Sequence, residues 1–139
     1  MIRIVFVLFM LTLSLKLGSQ QVVGMPKELL KKLMADLYPD FVMDDSAKNN
    51  AYKYLKYEDR VNGQTLLVFL SESDSCTSTK LISDYSNLPA VKSELGAKYK
   101  SDGIERWTFT INGVEYLIRL KHEQWFFSVI TCKSADLIK

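Results

Sequence analysis

Histidine, cysteine and neighbouring carboxylates are the residues of this chain whose chemistry could support catalysis. His122 is the sole histidine, and Glu123 follows it directly. A histidine oriented by a carboxylate can act as a general base when a nucleophile is close. His122 falls in a predicted tight turn, however, where water is difficult to exclude from a reaction. The pattern therefore favours an exposed turn histidine, and an enzyme that uses His122 is the weakest functional hypothesis.

Paired carboxylates occur in the sequence at Asp44/Asp45, Glu58/Asp59 and Asp102/Glu105. Glycoside hydrolysis needs two carboxyl groups roughly 5–10 Å apart across a cleft, and proximity in polar segments does not supply that geometry. The chain also contains no glycine-rich phosphate loop, no HExxH motif and no zinc-finger spacing. The sequence therefore predicts no catalytic residue, no metal ligand and no cofactor.

The two cysteines of the chain, Cys76 and Cys132, both lie beyond the apolar N-terminal segment. An even pair of cysteines in an oxidising compartment predicts one disulfide. Closing a loop of about 56 residues would contribute ~4 kcal/mol by the chain-entropy argument. The alternative is a redox or metal-binding pair, which the absence of CxxC spacing and the single histidine disfavour.

The first nineteen residues have the pattern of a signal peptide. Arg3 precedes Ile4–Leu15, an apolar run of about a dozen residues, which suits the roughly 7–15 of a signal-peptide core and is shorter than the ~20 that span a bilayer. Small residues allow cleavage near 19/20, alternatively near 24/25. These features predict a secreted or periplasmic protein with no membrane anchor after cleavage. The alternatives are an N-terminal membrane anchor and a first core strand.

The charge balance disfavours a nucleic-acid partner. The chain has 18 Lys+Arg and 16 Asp+Glu, and Arg3 and Lys16 belong to the predicted signal peptide. The mature chain therefore carries a net charge of about zero, and its lysines are interspersed with acids. Nucleic-acid-binding proteins usually have a basic stripe that neutralises phosphates.

The segment Glu105–Cys132 predicts a three-stranded antiparallel meander. Apolar Trp107, Phe109 and Ile111 alternate with polar residues, as in a strand with one buried face. Asn112-Gly113 is typical of a two-residue type I′ turn. The chain then returns twice, and the last strand ends at Cys132.

The preceding part of the chain predicts two helices and a hairpin. Pro26 suits the first position of a helix that ends near Tyr38, because Pro39 disfavours helical backbone there. The apolar stripe of this helix consists of Leu29, Leu30, Leu33, Met34 and Leu37. Tyr52–Val61 and Gln64–Ser71 predict a hairpin around Asn62-Gly63; a helix over Ala47–Leu55 is the alternative. Ser71–Thr79 has the composition of a loop, and Pro89–Tyr99 predicts the second helix.

These elements predict an α+β fold, in which the N-terminal helix packs on an antiparallel sheet of about four to five strands closed by the disulfide. The globular domain comprises residues 25–133, and residues 134–139 form a frayed tail. The two Asn-Gly turns are too short to indicate an internal repeat.

Aromatic residues are the remaining functional signal. An exposed aromatic patch marks a binding surface, and the candidates for it are Trp125, Phe127, Tyr52, Tyr54 and Tyr57. The first functional hypothesis is non-catalytic binding by an inhibitor, immunity or accessory protein that acts on an exported protein or other macromolecule. The alternative is a carrier that binds a small hydrophobic ligand between helix and sheet.

Overall fold

The computed structural model describes residues 22–45 and 52–138, which form two α-helices and eight β-strands. The helices are α1 (Lys27–Leu37) and α2 (Leu88–Lys98). The strands are β1 (Val42–Met43), β2 (Tyr54–Asp59), β3 (Gln64–Leu70), β4 (Cys76–Ser83), β5 (Lys100–Ser101), β6 (Arg106–Ile111), β7 (Val114–His122) and β8 (Phe127–Lys133). Residues 85–87 and Ser134–Ile138 form 3₁₀ helices. The predicted signal peptide and its cleavage point near 19/20 lie outside the described residues, as do residues 46–51.

Helix α1 packs on the sheet through one side. Pro26 precedes it with extended backbone (φ −62°, ψ 145°), a conformation that suits the residue before a first turn. Leu30 and Met34, one turn apart, are fully buried. The Tyr38 N–H donates to the Met34 carbonyl oxygen and closes the last turn. The predicted N-terminal helix is confirmed, although Leu29 of its predicted stripe is exposed.

The two Asn-Gly turns have different geometries. Asn112 (φ 51°) and Gly113 (φ 79°) adopt the left-handed conformations of a type I′ turn between β6 and β7. Strand β2 ends earlier, at Asp59, so residues 60–63 form a longer loop. The Asp59 carboxylate accepts hydrogen bonds from the Asn62 N–H (3.0 Å) and from its side-chain amide (2.7 Å). These bonds satisfy a buried carboxylate and hold the pKa of Asp59 below its ordinary value.

All eight strands belong to one antiparallel sheet, whose order is β1-β2-β3-β4-β8-β7-β6-β5. Helix α2 carries the chain from β4, at the centre of the sheet, to β5, at the opposite edge. Each half of the chain thus contributes one helix and then four strands, and the last strands of the two halves pair with each other. The Asn-Gly turns occupy the equivalent hairpin of each half. This repeated topology differs from the expectation that the turns indicate no repeat.

One face of the sheet holds the core. Paired residues of antiparallel strands project to the same face, so the register assigns each side chain to one of two faces. The first core cluster contains Leu30, Met34, Tyr57, Val68 and Cys76. The second contains Leu95, Trp107, Ile118, Leu120 and Phe127. Both helices therefore pack on the same face, which we call the helix face.

The opposite side of the sheet, which we call the open face, has no contact with the buried residues of either helix. Its strand residues include Tyr54, Lys56, Leu67, Phe69, Lys80, Ile82, Ile130, Arg119 and Arg106, as the strand register requires. Toward β7 and β8 the C-terminal 3₁₀ helix packs against the sheet, and Leu117 and Cys132 are buried there. From β2 to β4 the face carries partly exposed apolar side chains.

The predicted sheet of four to five strands is wrong in size, although the antiparallel arrangement is confirmed. The largest omission is β4, whose first residues have the Ser/Thr-rich composition of a loop. Thr79 and Ser83 are nevertheless buried on the helix face, and Thr79 lies opposite Thr131 of β8. Strand β4 pairs along most of its length with β3 on one side and with β8 on the other, so these hydroxyl-bearing residues form a central strand. Strands β1 and β5 are too short to produce a periodic pattern.

The predicted Cys76–Cys132 disulfide is also wrong. Both cysteines are buried free thiols. Cys132 pairs with Ser78, and both residues project to the open face. Thr77 is an extra residue at a register shift, beyond which Cys76 pairs with Leu70 and joins the core under α1. The bulge therefore directs the two sulfur atoms to opposite faces of the sheet, where they cannot bond.

Candidate binding surface

A shallow apolar depression lies on the open face over strands β2, β3 and β4. Its volume is about 520 Å³, and its lining residues are Tyr52, Tyr54, Lys56, Thr65, Leu67, Phe69 and Ile82. The strand register explains why these side chains meet. Tyr54 lies opposite Phe69, and Thr65 lies opposite Ile82, so alternate residues of three adjacent strands converge on one face.

Aromatic rings form one wall of the depression. The rings of Tyr52 and Phe69 meet edge to face with their centroids 6.4 Å apart, and those of Tyr54 and Phe69 are 6.3 Å apart in a tilted arrangement. Such contacts hold the side chains in fixed positions. Tyr52 is nevertheless 64 % exposed. The wall is thus a preformed apolar surface that faces solvent.

Lys56 is the charged residue among those that line the depression. Its ammonium group lies 3.2 Å from the Glu58 carboxylate and 3.6 Å from that of Asp44. The hydrogen bond to Glu58 is the main reason that the pKa of Lys56 is raised. Lys56 is therefore protonated at every physiological pH, and the depression combines an aromatic wall with an ammonium group that is paired with two carboxylates.

The structure separates the aromatic residues that the sequence grouped together. Tyr52 and Tyr54 line the depression. Tyr57 and Phe127 are buried on the helix face, and burial raises the pKa of Tyr57 to about 12. Trp125 is 77 % exposed in the turn between β7 and β8 and does not line the depression. Tyr52 and Tyr54 are therefore the members of the predicted set that form a shared surface.

No protein-family model, curated protein or solved structure matches the chain.

His122 belongs to a different contact network, at the far end of β7. Its Nε2 atom lies 2.7 Å from Glu105 Oε1, and Lys92 of α2 lies 3.4 Å from the same oxygen. Its ring stacks on Tyr85, with the centroids 6.0 Å apart. The hydrogen bond to His122 is the main cause of the lowered pKa of Glu105. This network joins α2, the loop before β6 and the end of β7, so the geometry supports a structural role for His122.

Neither a metal site nor a membrane-spanning helix is found in residues 22–45 and 52–138. Among these residues no group of three or more His, Cys, Asp or Glu side chains could hold a metal ion. Their helices are also too short and too polar to cross a bilayer.

Several residues of the surface were not identified from the sequence, namely Thr65, Leu67, Phe69 and Ile82. The segment Thr65–Leu70 is apolar on both faces, which is typical of a strand that is covered on each side or partly covered by another element. The available signal was the adjacent cluster of tyrosines. The tyrosine-containing strand is predicted to pair with Thr65–Leu70. One of the two apolar faces of Thr65–Leu70 must then lie beside the tyrosine side chains.

Proposed function

We propose that this protein is a non-catalytic binding domain that docks another protein on the open face of its sheet. An inhibitor, immunity or accessory protein of an exported macromolecule would act in this way. The observation that carries the proposal is the solvent-facing aromatic wall of Tyr52, Tyr54 and Phe69 beside Leu67. Exposed aromatic clusters that are rimmed by charge are typical of protein-binding surfaces.

The second hypothesis, a carrier of small hydrophobic ligands, receives less support. A carrier encloses most of the surface of its ligand, and the predicted location was the space between helix and sheet. That space is filled by Leu30, Met34 and Phe127, all of which are fully buried. The depression on the open face lies on the other side of the sheet and is shallow, so it suits contact with a macromolecule better than enclosure of a small molecule.

Affinity capture with surface variants tests the proposal. The protein is used as bait in an extract from its own source, and captured proteins are quantified by mass spectrometry for the wild type, Tyr54→Ala and Trp125→Ala. Both substitutions remove an aromatic ring, but only Tyr54 lines the depression. We expect Tyr54→Ala to reduce recovery of the specific partner by about tenfold, as for a hot-spot residue. Loss with Trp125→Ala alone would place the interface at the β7–β8 turn and contradict the proposal.

A further inference from the structure

Charges on the open face of the sheet are unevenly distributed, although the mature chain is nearly neutral. The cationic strand residues on this face are Lys56, Lys80, Lys100, Arg106, Arg119 and Lys121. The acidic strand residues on the same face are Glu58 and Glu115. The sheet thus concentrates positive charge on one side, a feature that the total composition conceals.

The central cations lie in one row that crosses the sheet at right angles to the strands. Each member is the Cα partner of the next, and the row reads Lys56, Leu67, Lys80, Ile130, Arg119 and Arg106 across β2, β3, β4, β8, β7 and β6. With about 4.8 Å between neighbouring strands, the row is ~24 Å long. Its first five members alternate strictly between a cation and an aliphatic side chain.

Ion pairs among the described residues relieve the repulsion in the row only in part. Arg106 lies directly opposite Arg119, and like charges in that position are unfavourable. Asp102 approaches Arg106 only to 4.0 Å. Lys56 is paired with Glu58 and Asp44, but Lys80 and Arg119 form no ion pair with any of the described residues. A bound anionic segment would relieve this repulsion, so the charge pattern is complementary to acid.

We propose that the partner of this binding domain presents an acidic amphipathic helix, which lies along the row and places carboxylates on Lys80 and Arg119. This inference rests on the proposed function and specifies its partner. Successive side chains on one edge of a helix are three or four residues apart, which corresponds to ~5.3 Å of rise. That spacing is close to the ~4.8 Å between strands. Two glutamates seven residues apart on the helix would lie on Lys80 and Arg119, and a leucine midway between them would lie on Ile130.

Two alternatives fit the row less well. An extended peptide repeats its side chains on one face every ~6.7 Å, which drifts out of register with the strands after two residues. Single-stranded nucleic acid needs aromatic side chains on which successive bases stack. The positions between the cations are occupied by Leu67 and Ile130, and the aromatic side chains lie at one end of the face. Aliphatic side chains between cations favour a polypeptide with apolar and acidic residues on one edge.

Fluorescence anisotropy with synthetic probes tests this inference. The first probe is a labelled helical peptide of about 18 residues, long enough to cover the row at ~1.5 Å per residue, with Glu and Leu alternating along one edge. The second is the same peptide with Gln in place of Glu. The third is a thymidine oligonucleotide of about 12 nucleotides, within the usual site size for single strands.

The protein variants are Arg119→Glu and, as a control with the same change in net charge, Lys32→Glu on the exposed side of α1. Arg119→Glu places an acid opposite Arg106, so it should fold at least as stably as the wild type. We expect the Glu peptide to bind, its affinity to fall as NaCl is raised from about 0.05 to 0.5 M, and Arg119→Glu to weaken it about tenfold. Lys32→Glu should change the affinity less than about twofold.

Equal binding of the Gln peptide, or an unchanged affinity in Arg119→Glu, would overturn the inference. Tighter binding of the oligonucleotide than of the Glu peptide would overturn it in favour of a nucleic acid. The capture experiment separates this failure from that of the proposed function. If Tyr54→Ala abolishes capture and Arg119→Glu does not, the domain binds a protein through the open face without the acidic helix. If neither variant reduces capture, the proposed function itself is wrong.

Discussion

Alanine substitutions of Cys76 and Cys132, made singly and together, distinguish two independent buried thiols from a crosslink. Both residues are buried and reduced in the structure. Cys76 contacts the core under α1, and burial raises the pKa of its thiol to about 12. Each single substitution should therefore remove the packing of one sulfur atom and destabilise the protein by about 1 kcal/mol.

The loss of stability in the double variant distinguishes two separate thiols from a disulfide. Because the two side chains lie on opposite faces of the sheet, their effects should add, and the double variant should lose about 2 kcal/mol. If a disulfide were present, either substitution alone would abolish it and cost ~4 kcal/mol. The second substitution would then cost only the packing of one further sulfur atom, so that the single and double variants would be nearly equal in stability.

Urea denaturation of the wild type and the three variants measures these differences in the free energy of unfolding. Alkylation of the denatured, unreduced wild type, followed by mass spectrometry, provides an independent readout. We expect two alkylated thiols and an unfolding curve that does not change when reductant is added. An unalkylated protein, or a loss of about 4 kcal/mol on reduction, would refute the assignment of the cysteines to opposite faces.

Tyr57→Phe should leave the stability unchanged or raise it by about 1 kcal/mol, because the buried hydroxyl has no hydrogen-bond partner among the described residues; a clear loss in urea denaturation would contradict this. Glu105→Gln should cost about 0.5 kcal/mol near neutral pH. Because the hydrogen bond from His122 lowers the pKa of Glu105, its contribution is complete above the unfolded-state pKa and is lost as the pH falls through the folded-state pKa. A cost that does not decrease as the pH is lowered below the unfolded-state pKa of Glu105 would exclude that ionic origin. Phe127→Ala should lower the free energy of unfolding by about 3–5 kcal/mol, because Phe127 is fully buried. Trp125→Ala should lower it by less than about 0.5 kcal/mol, because Trp125 is exposed. Similar melting temperatures for the two variants would contradict this difference in burial.

The parts of the fold that were predictable are those in which one local pattern determines the structure. Alternation from Trp107 to Ile111, together with the Asn-Gly turn, specifies β6, β7 and the type I′ hairpin, because period and turn chemistry agree. The spacing of Leu30 and Met34 likewise predicts the buried side of α1. In each case the residues that interact are close in sequence.

The parts that were missed depend on contacts between distant residues. Strand β4 has the composition of a loop, and its central place follows from pairing with β3 on one side and with β8 on the other. The predicted disulfide failed for a related reason, because one extra residue, Thr77, reverses the direction of Cys76. A shift of one residue moves a side chain to the other face of a sheet, and the sequence does not state which residue of a strand will bulge.

The candidate surface was predictable only in part. The clustered tyrosines indicated an aromatic surface, and Tyr52 and Tyr54 are on it. Tyr57 was included with them, yet it lies three residues after Tyr54 in the same strand and therefore projects to the opposite face. The cationic row was not predictable from composition, because its six members come from six strands and are adjacent only across the sheet.

The two halves of the repeated topology present different side chains at equivalent positions of the open face. Counted from the turn, the sixth residue pair of the β2–β3 hairpin is Tyr54 with Phe69. The sixth pair of the β6–β7 hairpin is Arg106 with Arg119. Equivalent positions of the two halves thus bear an aromatic pair at one end of the open face and an arginine pair at the other. A symmetric surface would accept the proposed helix in two opposite directions, whereas this asymmetry favours the direction in which additional apolar side chains of the helix lie beside Tyr54 and Phe69.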